Sequence, residues 1–417
     1  MKNFRIGTAC FVLGAYAAGA AAAASSNSQA WPQWRGPDRD GIHVGEAWPE
    51  SLDKRRLTLM WRQMLDAGYS SPIVTTDRVF TVETLAQKEE VVRAFDRVTG
   101  KQLWKTQWDG AMKVPFFARA NGSWARCTPA VDGNRLFVGG MRDVLACLDT
   151  QTGAVEWKVD FVERNKTPLP SFGFVSSPLV HGDHVYVQAG GGFMKLDKAT
   201  GETIWKSMGD GGGMYGSAFS SPVIEEMHGE SVALVQARTE LAAIDLMTGR
   251  PLWKQPIKAF RGMNILTPIV HNDGLFTSAY GGRTSMFETR DTGEGVEVSL
   301  AWDNKLQGYM STPVVVDGHA YLHLRNTRMA CVKLGNGEIT WTSKERFGKY
   351  MSMVAQGDKI LALDQEGELI LLKADPKQLR IMDRSKVSDE ETWAHLAVAD
   401  RQLFVRELRG ISVYEWK

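Results

Sequence analysis

The residues that most readily suggest chemistry are histidines spaced like metal ligands. His319 and His323 have the i, i+4 spacing of a helical zinc pair, but they lie in the strand pattern HAYLH. Four residues of an extended strand span about 13 Å, which is too far for one metal ion. His181 and His184 flank a turn between two apolar strands, where solvated side chains are expected. The sequence therefore predicts no metal site.

The usual short signatures of hydrolases, nucleotide-binding proteins and zinc proteases are missing. No G-x-S-x-G elbow, P-loop or H-E-x-x-H motif occurs in the sequence. Two glycine triplets, residues 190–192 and 211–213, resemble a phosphate cradle, but neither opens a helix, which phosphate binding of this kind requires. We expect both triplets to form turns and loops.

A set of aromatic and polar residues recurs just before a short apolar strand in a repeated unit. If the units form a ring, these side chains face the same end of it and line an axial funnel, whose composition suits a small-ligand or peptide site. The alternative is that the aromatic rings only fill the narrowing between units. The candidates are Trp124, Arg126, Phe172, Phe174, Tyr215, Arg261, Asn264, Tyr309, Tyr350, Trp393 and His395, with Tyr69 and Phe219 beside them.

The element that positions these residues is a repeated hairpin with Asp, then Thr-Gly at +3 and +4, then Trp at +8. The Asp can accept hydrogen bonds from turn amides, the Gly can take a positive φ, and the Trp ends the next strand. Four copies are complete, and a fifth keeps the frame from Lys333. The structural residues are Asp96, Gly100 and Trp104; Asp149, Gly153 and Trp157; Asp197, Gly201 and Trp205; Asp245, Gly249 and Trp253; and Gly337 and Trp341.

A second motif, Ser/Thr-Pro followed by β-branched residues, a turn and another apolar strand, recurs eight times. The spacing is about 46 residues, which is what one four-stranded propeller blade needs. The sequence therefore predicts an all-β fold, an eight-bladed β-propeller of four-stranded blades. The copies begin around Pro72, Pro129, Pro178, Pro222, Pro268, Pro313, Met353 and Leu396.

Closure of the ring is also visible in the sequence. The eighth copy ends at the C-terminus with room for only three strands, while an unpaired strand, Leu57 to Leu65, precedes the first copy. Because an open stack would leave exposed edges, we expect this N-terminal strand to complete the last blade. Two blades look degenerate: in the fifth, Asp291-Thr292-Gly293 is out of frame before Trp302, and in the seventh no Trp follows Ala374-Asp375-Pro376.

The N-terminus is typical of an exported protein. Lys2 and Arg5 precede an apolar run that ends near Ala24, which predicts a signal peptide over residues 1–24, with a second cleavage position at Ala30. An uncleaved anchor is the alternative. Cys10 lies inside the apolar run, so no lipid anchor is predicted. A leader over residues 31–56 and a single propeller over residues 57–417 follow, and we expect a periplasmic monomer without a later membrane span.

Charge and cysteine usage narrow the function further. Lys and Arg (49) nearly balance Asp and Glu (48), which argues against nucleic acid as a partner. Without the signal peptide three cysteines remain, Cys127, Cys147 and Cys331, and none forms a C-x-x-C pair. This excludes a disulfide framework. Buried free thiols are expected, and one bridge stays open as the alternative.

These motifs resemble the PQQ-like repeat superfamily of eight-bladed propellers, in which Trp side chains dock between blades. The resemblance covers residues 57 to 417 and is greatest to small periplasmic propellers of the BamB type. The opening Trp31-Pro32-Gln33-Trp34-Arg35-Gly36-Pro37, followed by Gly41, is similar to the leader of many bacterial PQQ-binding-like propellers. The quinoprotein alcohol dehydrogenases of the superfamily are longer and commonly carry an adjacent-cysteine disulfide and calcium-binding carboxylates. This sequence has no Cys-Cys pair and no evident carboxylate cluster before the Pro copies.

The resemblance implies a non-catalytic scaffold, without a cofactor, that binds periplasmic or outer-membrane proteins or a small ligand. A quinoprotein oxidoreductase using PQQ with calcium is the second hypothesis, and a carbohydrate-binding propeller is the third.

Overall fold

The computed structural model describes residues 30–216 and 218–417. Within them, thirty-two strands form eight separate four-stranded antiparallel sheets, and these sheets are the blades of an eight-bladed β-propeller. The predicted fold is therefore confirmed. The predicted signal peptide and both cleavage positions depend on residues outside the described part of the chain. No helix in the described ranges is long and apolar enough to cross a membrane.

The first four blades follow the chain in order, each running from the innermost to the outermost strand. Strand β1 (Leu57–Met64) precedes them. Blade 1 contains β2 (Ile73–Val74), β3 (Arg78–Leu85), β4 (Glu89–Asp96) and β5 (Gln102–Asp109); blade 2 contains β6 (Ala130–Asp132), β7 (Arg135–Gly140), β8 (Val144–Asp149) and β9 (Val155–Asp160); blade 3 contains β10 (Leu179–His181), β11 (His184–Ala189), β12 (Gly192–Asp197) and β13 (Thr203–Ser207); blade 4 contains β14 (Val223–Met227), β15 (Glu230–Gln236), β16 (Glu240–Asp245) and β17 (Pro251–Pro256).

The second half of the ring repeats this arrangement. Blade 5 contains β18 (Ile269–His271), β19 (Gly274–Ser278), β20 (Thr284–Asp291) and β21 (Val296–Asn304); blade 6 contains β22 (Val314–Val316), β23 (His319–His323), β24 (Met329–Lys333) and β25 (Ile339–Thr342); blade 7 contains β26 (Met351–Gln356), β27 (Lys359–Asp364), β28 (Glu368–Lys373) and β29 (Arg380–Lys386); and blade 8 contains β30 (Ala397–Ala399), β31 (Gln402–Glu407) and β32 (Gly410–Trp416). Short helical turns are Phe116–Asn121, Phe161–Asn165 and Phe260–Gly262.

The N-terminal strand completes blade 8, as predicted. Strand β1 pairs antiparallel with β32, so that Leu57 lies opposite Trp416 and Met64 lies opposite Gly410. The ring is thus closed by strands from the two ends of the propeller sequence. This arrangement satisfies the outer edge of β32, which would otherwise present unpaired backbone groups.

The repeated Asp-Thr-Gly-Trp motif joins most of the neighbouring blades. Asp96 accepts hydrogen bonds through Oδ1 from the amides of Val98 (3.2 Å) and Thr99 (2.7 Å). Gly100 has a φ of +69°, and a Cβ there would lie 2.5 Å from the Trp61 indole of the preceding blade, so both the turn and the docking require glycine. Six indoles in the described ranges donate to a turn carbonyl of the following blade at 2.7 to 3.3 Å: Trp61, Trp104, Trp157, Trp205, Trp302 and Trp341.

The two degenerate blades differ in how they depart from the motif. In blade 5 the β20–β21 hairpin is longer, but the bulge beside Trp302 lies where it lies beside Trp104 of blade 1, and Trp302 docks on the Leu334 carbonyl at 2.7 Å. In blade 7 Asp383 lies opposite Leu371 beside the bulge, the register position that tryptophan holds in other blades. Asp383 accepts hydrogen bonds from Ser51 Oγ (2.7 Å) and the Leu52 amide (2.6 Å), so the leader occupies this side of blade 7.

The Ser/Thr of the Ser/Thr-Pro motif connects the blades around the axis. The amide of Ser71 donates to Thr128 Oγ1 (3.2 Å), the amide of Thr128 donates to Ser177 Oγ (3.2 Å), and the amide of Ser177 donates to Ser221 Oγ (2.9 Å). The Thr267 amide likewise donates to Thr312 Oγ1 (3.2 Å). The hydroxyl groups therefore satisfy buried amides where the strands converge, and the proline that follows carries no N–H that would need an acceptor.

Cys127, Cys147 and Cys331 are buried free thiols. Cys127 and Cys147 pack in the core between blades 2 and 3, and Cys331 packs in the core between blades 6 and 7. The expectation of buried free thiols is confirmed, and the alternative of one bridge is wrong.

Candidate functional site

The segments that enter the innermost strands surround a cavity on the axis of the ring. Its volume is about 620 Å³, which is within the range of small-molecule pockets. Its lining includes hydroxyl residues of the Ser/Thr-Pro motif: Ser71, Thr128, Ser177, Ser221 and Thr312. The loops between blades form its mouth, and this end of the ring is called the loop face below.

Aromatic side chains form a nearly continuous collar around the cavity mouth. On one side, Tyr350 and Trp393 stack with ring centroids 5.8 Å apart, and Tyr69 lies 5.6 Å from Trp393. On the other side, Phe172 contacts both Phe117 (6.3 Å) and Phe219 (5.5 Å). The collar comprises Tyr69, Phe117, Phe172, Phe219, Phe260, Tyr280, Tyr309, Tyr350 and Trp393.

Three arginines give the cavity a positive charge. Arg126 donates through Nη2 to the Gly122 carbonyl (2.7 Å), and burial lowers the pKa of its guanidinium to about 10. Arg238 donates to the Gly262 (2.6 Å) and Arg261 (2.8 Å) carbonyls and lies with Cζ 4.5 Å from the Phe219 centroid. No described residue that lines the cavity is an Asp or Glu. The third arginine, Arg261, also lines the cavity. The three guanidinium charges are therefore available to an anionic group.

One exposed carboxylate, Glu391, contacts the collar without lining the cavity. Glu391 Oε2 accepts hydrogen bonds from Trp393 Nε1 (3.1 Å) and from the Tyr69 hydroxyl (3.4 Å). Desolvation and this neighbouring carboxylate raise the pKa of Tyr69. Glu391 thus orients the two rings, and Trp393 stacks on Tyr350 with an interplanar angle of 17°.

Most of the sequence-predicted candidates lie together on this cavity. Eight of the eleven line it: Arg126, Phe172, Tyr215, Arg261, Tyr309, Tyr350, Trp393 and His395. His395 is buried, and burial followed by the charge of Arg35 lowers its pKa to about 3, so the imidazole is neutral at physiological pH. Tyr69 and Phe219 also line the cavity.

Three candidates do not line the cavity. Phe174 is 1% exposed and packs in the core between blades 2 and 3 beside Phe161. Asn264 is fully buried and donates through Nδ2 to the Arg238 (3.0 Å) and Ile257 (3.3 Å) carbonyls. Trp124 packs against Tyr69 in a T-shaped contact, with ring centroids 5.4 Å apart. In these irregular entry segments a shift of one or two residues turns a side chain from the axis into a blade interface.

Sequence reasoning missed lining residues that lie outside the repeated position. Trp34 of the leader and Phe117 of the turn Phe116–Asn121 both line the cavity, as do Arg238 and Met214. Arg238 follows β15 and is not in an entry segment, so the repeat could not indicate it. The sequence shows the leader motif that contains Trp34, but nothing in its residues indicates that the leader lies on the axis of the ring.

The residues present do not fit a calcium-bound quinone. The cavity lining lacks carboxylates, and no cluster of three or more His, Cys, Asp or Glu within residues 30–216 and 218–417 could hold a metal ion. His323, one of the two histidines whose spacing resembles a zinc pair, is buried in β23, and burial lowers its pKa to about 4. No oxidation step through a quinone is derived for this cavity.

Fold and cavity together define the class: an eight-bladed propeller of PQQ-like repeats with an aromatic, arginine-containing axial cavity. A family model described as outer membrane protein assembly factor BamB matches residues 88–343, and the chain belongs to this family. BamB of Yersinia pestis is 23% identical over 340 residues, which cover 79% of this chain and 80% of that protein. BamB of Shewanella oneidensis is 22% identical over 365 residues, covering 82% of each chain.

Solved structures show the same fold. BamB from Moraxella catarrhalis superposes with a TM-score of 0.63 at 18% identity, covering 87% of this chain and 98% of that one. The quinohemoprotein alcohol dehydrogenase ADHIIG from Pseudomonas putida HK5 gives a TM-score of 0.53 at 12% identity, covering 94% of this chain and 81% of that one. The predicted superfamily is confirmed.

Proposed function

We propose that this protein is an exported, non-catalytic scaffold that binds a periplasmic or outer-membrane protein at its loop face. The observation that carries the proposal is the collar and the exposed apolar side chains beside it. Phe116 is 78% exposed, Phe117 53%, Tyr215 70% and Phe260 44%. Large apolar side chains gathered around a concave opening are typical of a protein-binding surface.

The positive charge of the cavity indicates which chemical groups the partner carries. Arg126, Arg238 and Arg261 line it without a lining carboxylate in the described ranges. A segment that enters the cavity would therefore combine aromatic or apolar side chains with Asp, Glu or a terminal carboxylate. The relatives named as outer membrane protein assembly factors favour a partner in that process. Export is supported by the signal-peptide pattern over residues 1–24.

The proposal is tested by gene deletion and complementation in the source organism. Loss of the protein is expected to lower the amounts of outer-membrane proteins, and the wild-type gene is expected to restore them. The triple variant Phe117→Ser, Tyr215→Ser and Phe260→Ser should fail to restore them. A matched control, Val98→Ser, Met247→Ser and Leu300→Ser, removes exposed apolar side chains (67%, 83% and 54% exposed) from the outer part of the blades and should complement fully. Equal complementation by both triple variants would contradict the proposal.

A second candidate, binding of a small ligand, is favoured by the volume and aromatic walls of the cavity. Calorimetric titration with PQQ, with and without Ca²⁺, tests the quinone, and titration with glycans tests the carbohydrate. Trp393→Ala is the informative variant because Trp393 lines the cavity, whereas Trp124 does not. Binding that is lost in Trp393→Ala would support this candidate, and no heat at high micromolar ligand would count against it.

A further inference from the structure

The leader residues Trp31 to His43 cross the axis of the ring. The backbone of Trp31 pairs with Val74 of blade 1 through two hydrogen bonds (2.8 and 3.0 Å). The Pro32 carbonyl accepts from the Val131 amide of blade 2 (2.8 Å). Further along, the His43 amide donates to the Ala355 carbonyl of blade 7, and the Ala355 amide donates to the Gly41 carbonyl, both at 2.8 Å. The leader therefore occupies inner strand edges that face the channel.

Two buried arginines hold the leader on other blades. Arg35 donates through Nη1 to the Thr312 carbonyl (3.0 Å) and through Nη2 to the Pro313 carbonyl (2.8 Å) of blade 6. Arg39 donates to the Pro178 (2.8 Å) and Ser177 (3.2 Å) carbonyls of blade 3. Both side chains are almost fully buried, at 1% and 3% exposure. Charge-assisted hydrogen bonds to carbonyls are what makes such burial tolerable.

The leader separates two cavities. Trp34 lines the 620 Å³ cavity of the loop face, with the Arg35 and Arg39 Cζ atoms 5.6 and 5.7 Å from its ring centroid and His395 6.0 Å away. On the other side of the leader, Arg35 and Arg39 line a second cavity of about 230 Å³, which is bordered by the inner strands of blades 4 to 6. Thr312 borders both cavities. The indole and the two guanidinium groups thus lie between the two spaces.

We infer that residues 31–43 form an intrachain plug that closes the axial channel, with Trp34 as the floor of the loop-face cavity. The eight blades alone leave a channel, and the plug divides it. A ligand or peptide that enters at the loop face leaves by the same mouth. Trp34 is then a contact residue for whatever the cavity binds, and Arg35 and Arg39 are its positioning residues.

Severing the connection between plug and propeller tests this inference in the full chain. A protease recognition sequence is inserted between Val44 and Gly45, in an exposed stretch where Val44 is 58% exposed. After cleavage the fragment that contains residues 31–43 should co-elute with the propeller in gel filtration. In the double variant Arg35→Met and Arg39→Met its release should be at least about tenfold faster, because the bonds to blades 3 and 6 are lost. The matched control Arg55→Met changes a 91% exposed side chain and should retain the fragment.

The inference is overturned if the wild-type fragment separates in the first gel filtration, or if the double variant retains it as long as the control does. If the double variant does not fold, amide hydrogen exchange of the uncut wild type tests the plug instead. Residues 31–43 should then exchange at least about 100-fold more slowly than the exposed stretch 44–47. Equal rates in the two stretches would overturn the plug.

Discussion

The indole Nε1–H of Trp61 donates a hydrogen bond of 2.9 Å to the carbonyl oxygen of Arg97. Trp61 lies in β1, the N-terminal strand that completes blade 8, whereas Arg97 lies in the turn that follows β4 of blade 1. The last blade is therefore docked on the first by the same contact that joins blades adjacent in sequence. Closure of the ring depends on this pair as well as on the β1–β32 ladder.

Trp61→Ala should destabilise the closed ring. The substitution empties the space above Gly100 and removes the hydrogen bond to Arg97, and loss of a buried aromatic side chain typically costs about 3 to 5 kcal/mol. Urea unfolding followed by circular dichroism measures the change. Leu59→Ala on the same strand is the control, because Leu59 is 49% exposed. An unfolding midpoint equal to that of the control would contradict the role of Trp61.

Thr128→Val should weaken the contact between blades 1 and 2 at the axis. The Ser71 amide loses its acceptor Thr128 Oγ1 and is left buried, which costs about 1 to 3 kcal/mol. Thr128→Ser keeps the hydroxyl, and its stability should be close to that of the wild type. Thermal unfolding of the three proteins checks the order. Equal stability of the Val and Ser variants would show that the hydroxyl is not needed.

Glu90 should make stability fall between pH 5 and pH 8. It is fully buried between blades 1 and 2, where it accepts from the Met141 amide (2.6 Å) and Trp108 Nε1 (3.2 Å), and desolvation raises its pKa from 4.5 to about 7. Between these two values the folded state binds more protons than the unfolded state, so raising the pH destabilises the protein.

Urea unfolding at pH 5 and pH 8 tests this pH dependence. In Glu90→Gln the loss of unfolding free energy between the two pH values should be smaller than in the wild type by about 2 to 3 kcal/mol. Glu89→Gln, on the neighbouring half-buried residue of the same strand, is the control. A wild-type pH dependence in Glu90→Gln would refute the assignment.

Asp383→Ala should loosen residues 51 and 52 of the leader on blade 7, while the backbone pairing of Gly41 and His43 with Ala355 remains. The carboxylate accepts from Ser51 Oγ and the Leu52 amide, and the first of these hydrogen bonds is the main cause of its lowered pKa. Amide exchange at Leu52 should accelerate about tenfold or more, as expected for loss of a charge-assisted hydrogen bond of about 1.5 to 3 kcal/mol. Because the pKa is lowered, the carboxylate keeps its hydrogen bonds at pH 4, and the protection of the Leu52 amide relative to its intrinsic exchange rate should fall in the wild type only as the pH drops through this lowered pKa. Unchanged exchange in the variant would contradict this contact.

The repeats made the fold predictable because each turn has strict requirements. A positive φ at Gly100 and an indole docked above it allow few other residues, so the motif survives in most blades. The repeat placed Tyr350 and Trp393 on the cavity because both occupy the repeated entry position. Phe174 and Asn264 do not line the cavity because their entry segments are irregular. The role of Arg39 depends on a contact with Pro178, 139 residues away, which no local pattern indicates.

Binding at the loop face is tested most directly by site-specific photo-crosslinking in cells of the source organism. A photoreactive side chain replaces Tyr215, which is 70% exposed beside the cavity, or Met247, which is 83% exposed on an outer turn of blade 4. The Tyr215 position should crosslink to a periplasmic or outer-membrane protein through a segment with acidic and apolar residues, and the Met247 position should not. Crosslinks of equal yield from both positions, or from Met247 alone, would contradict the account.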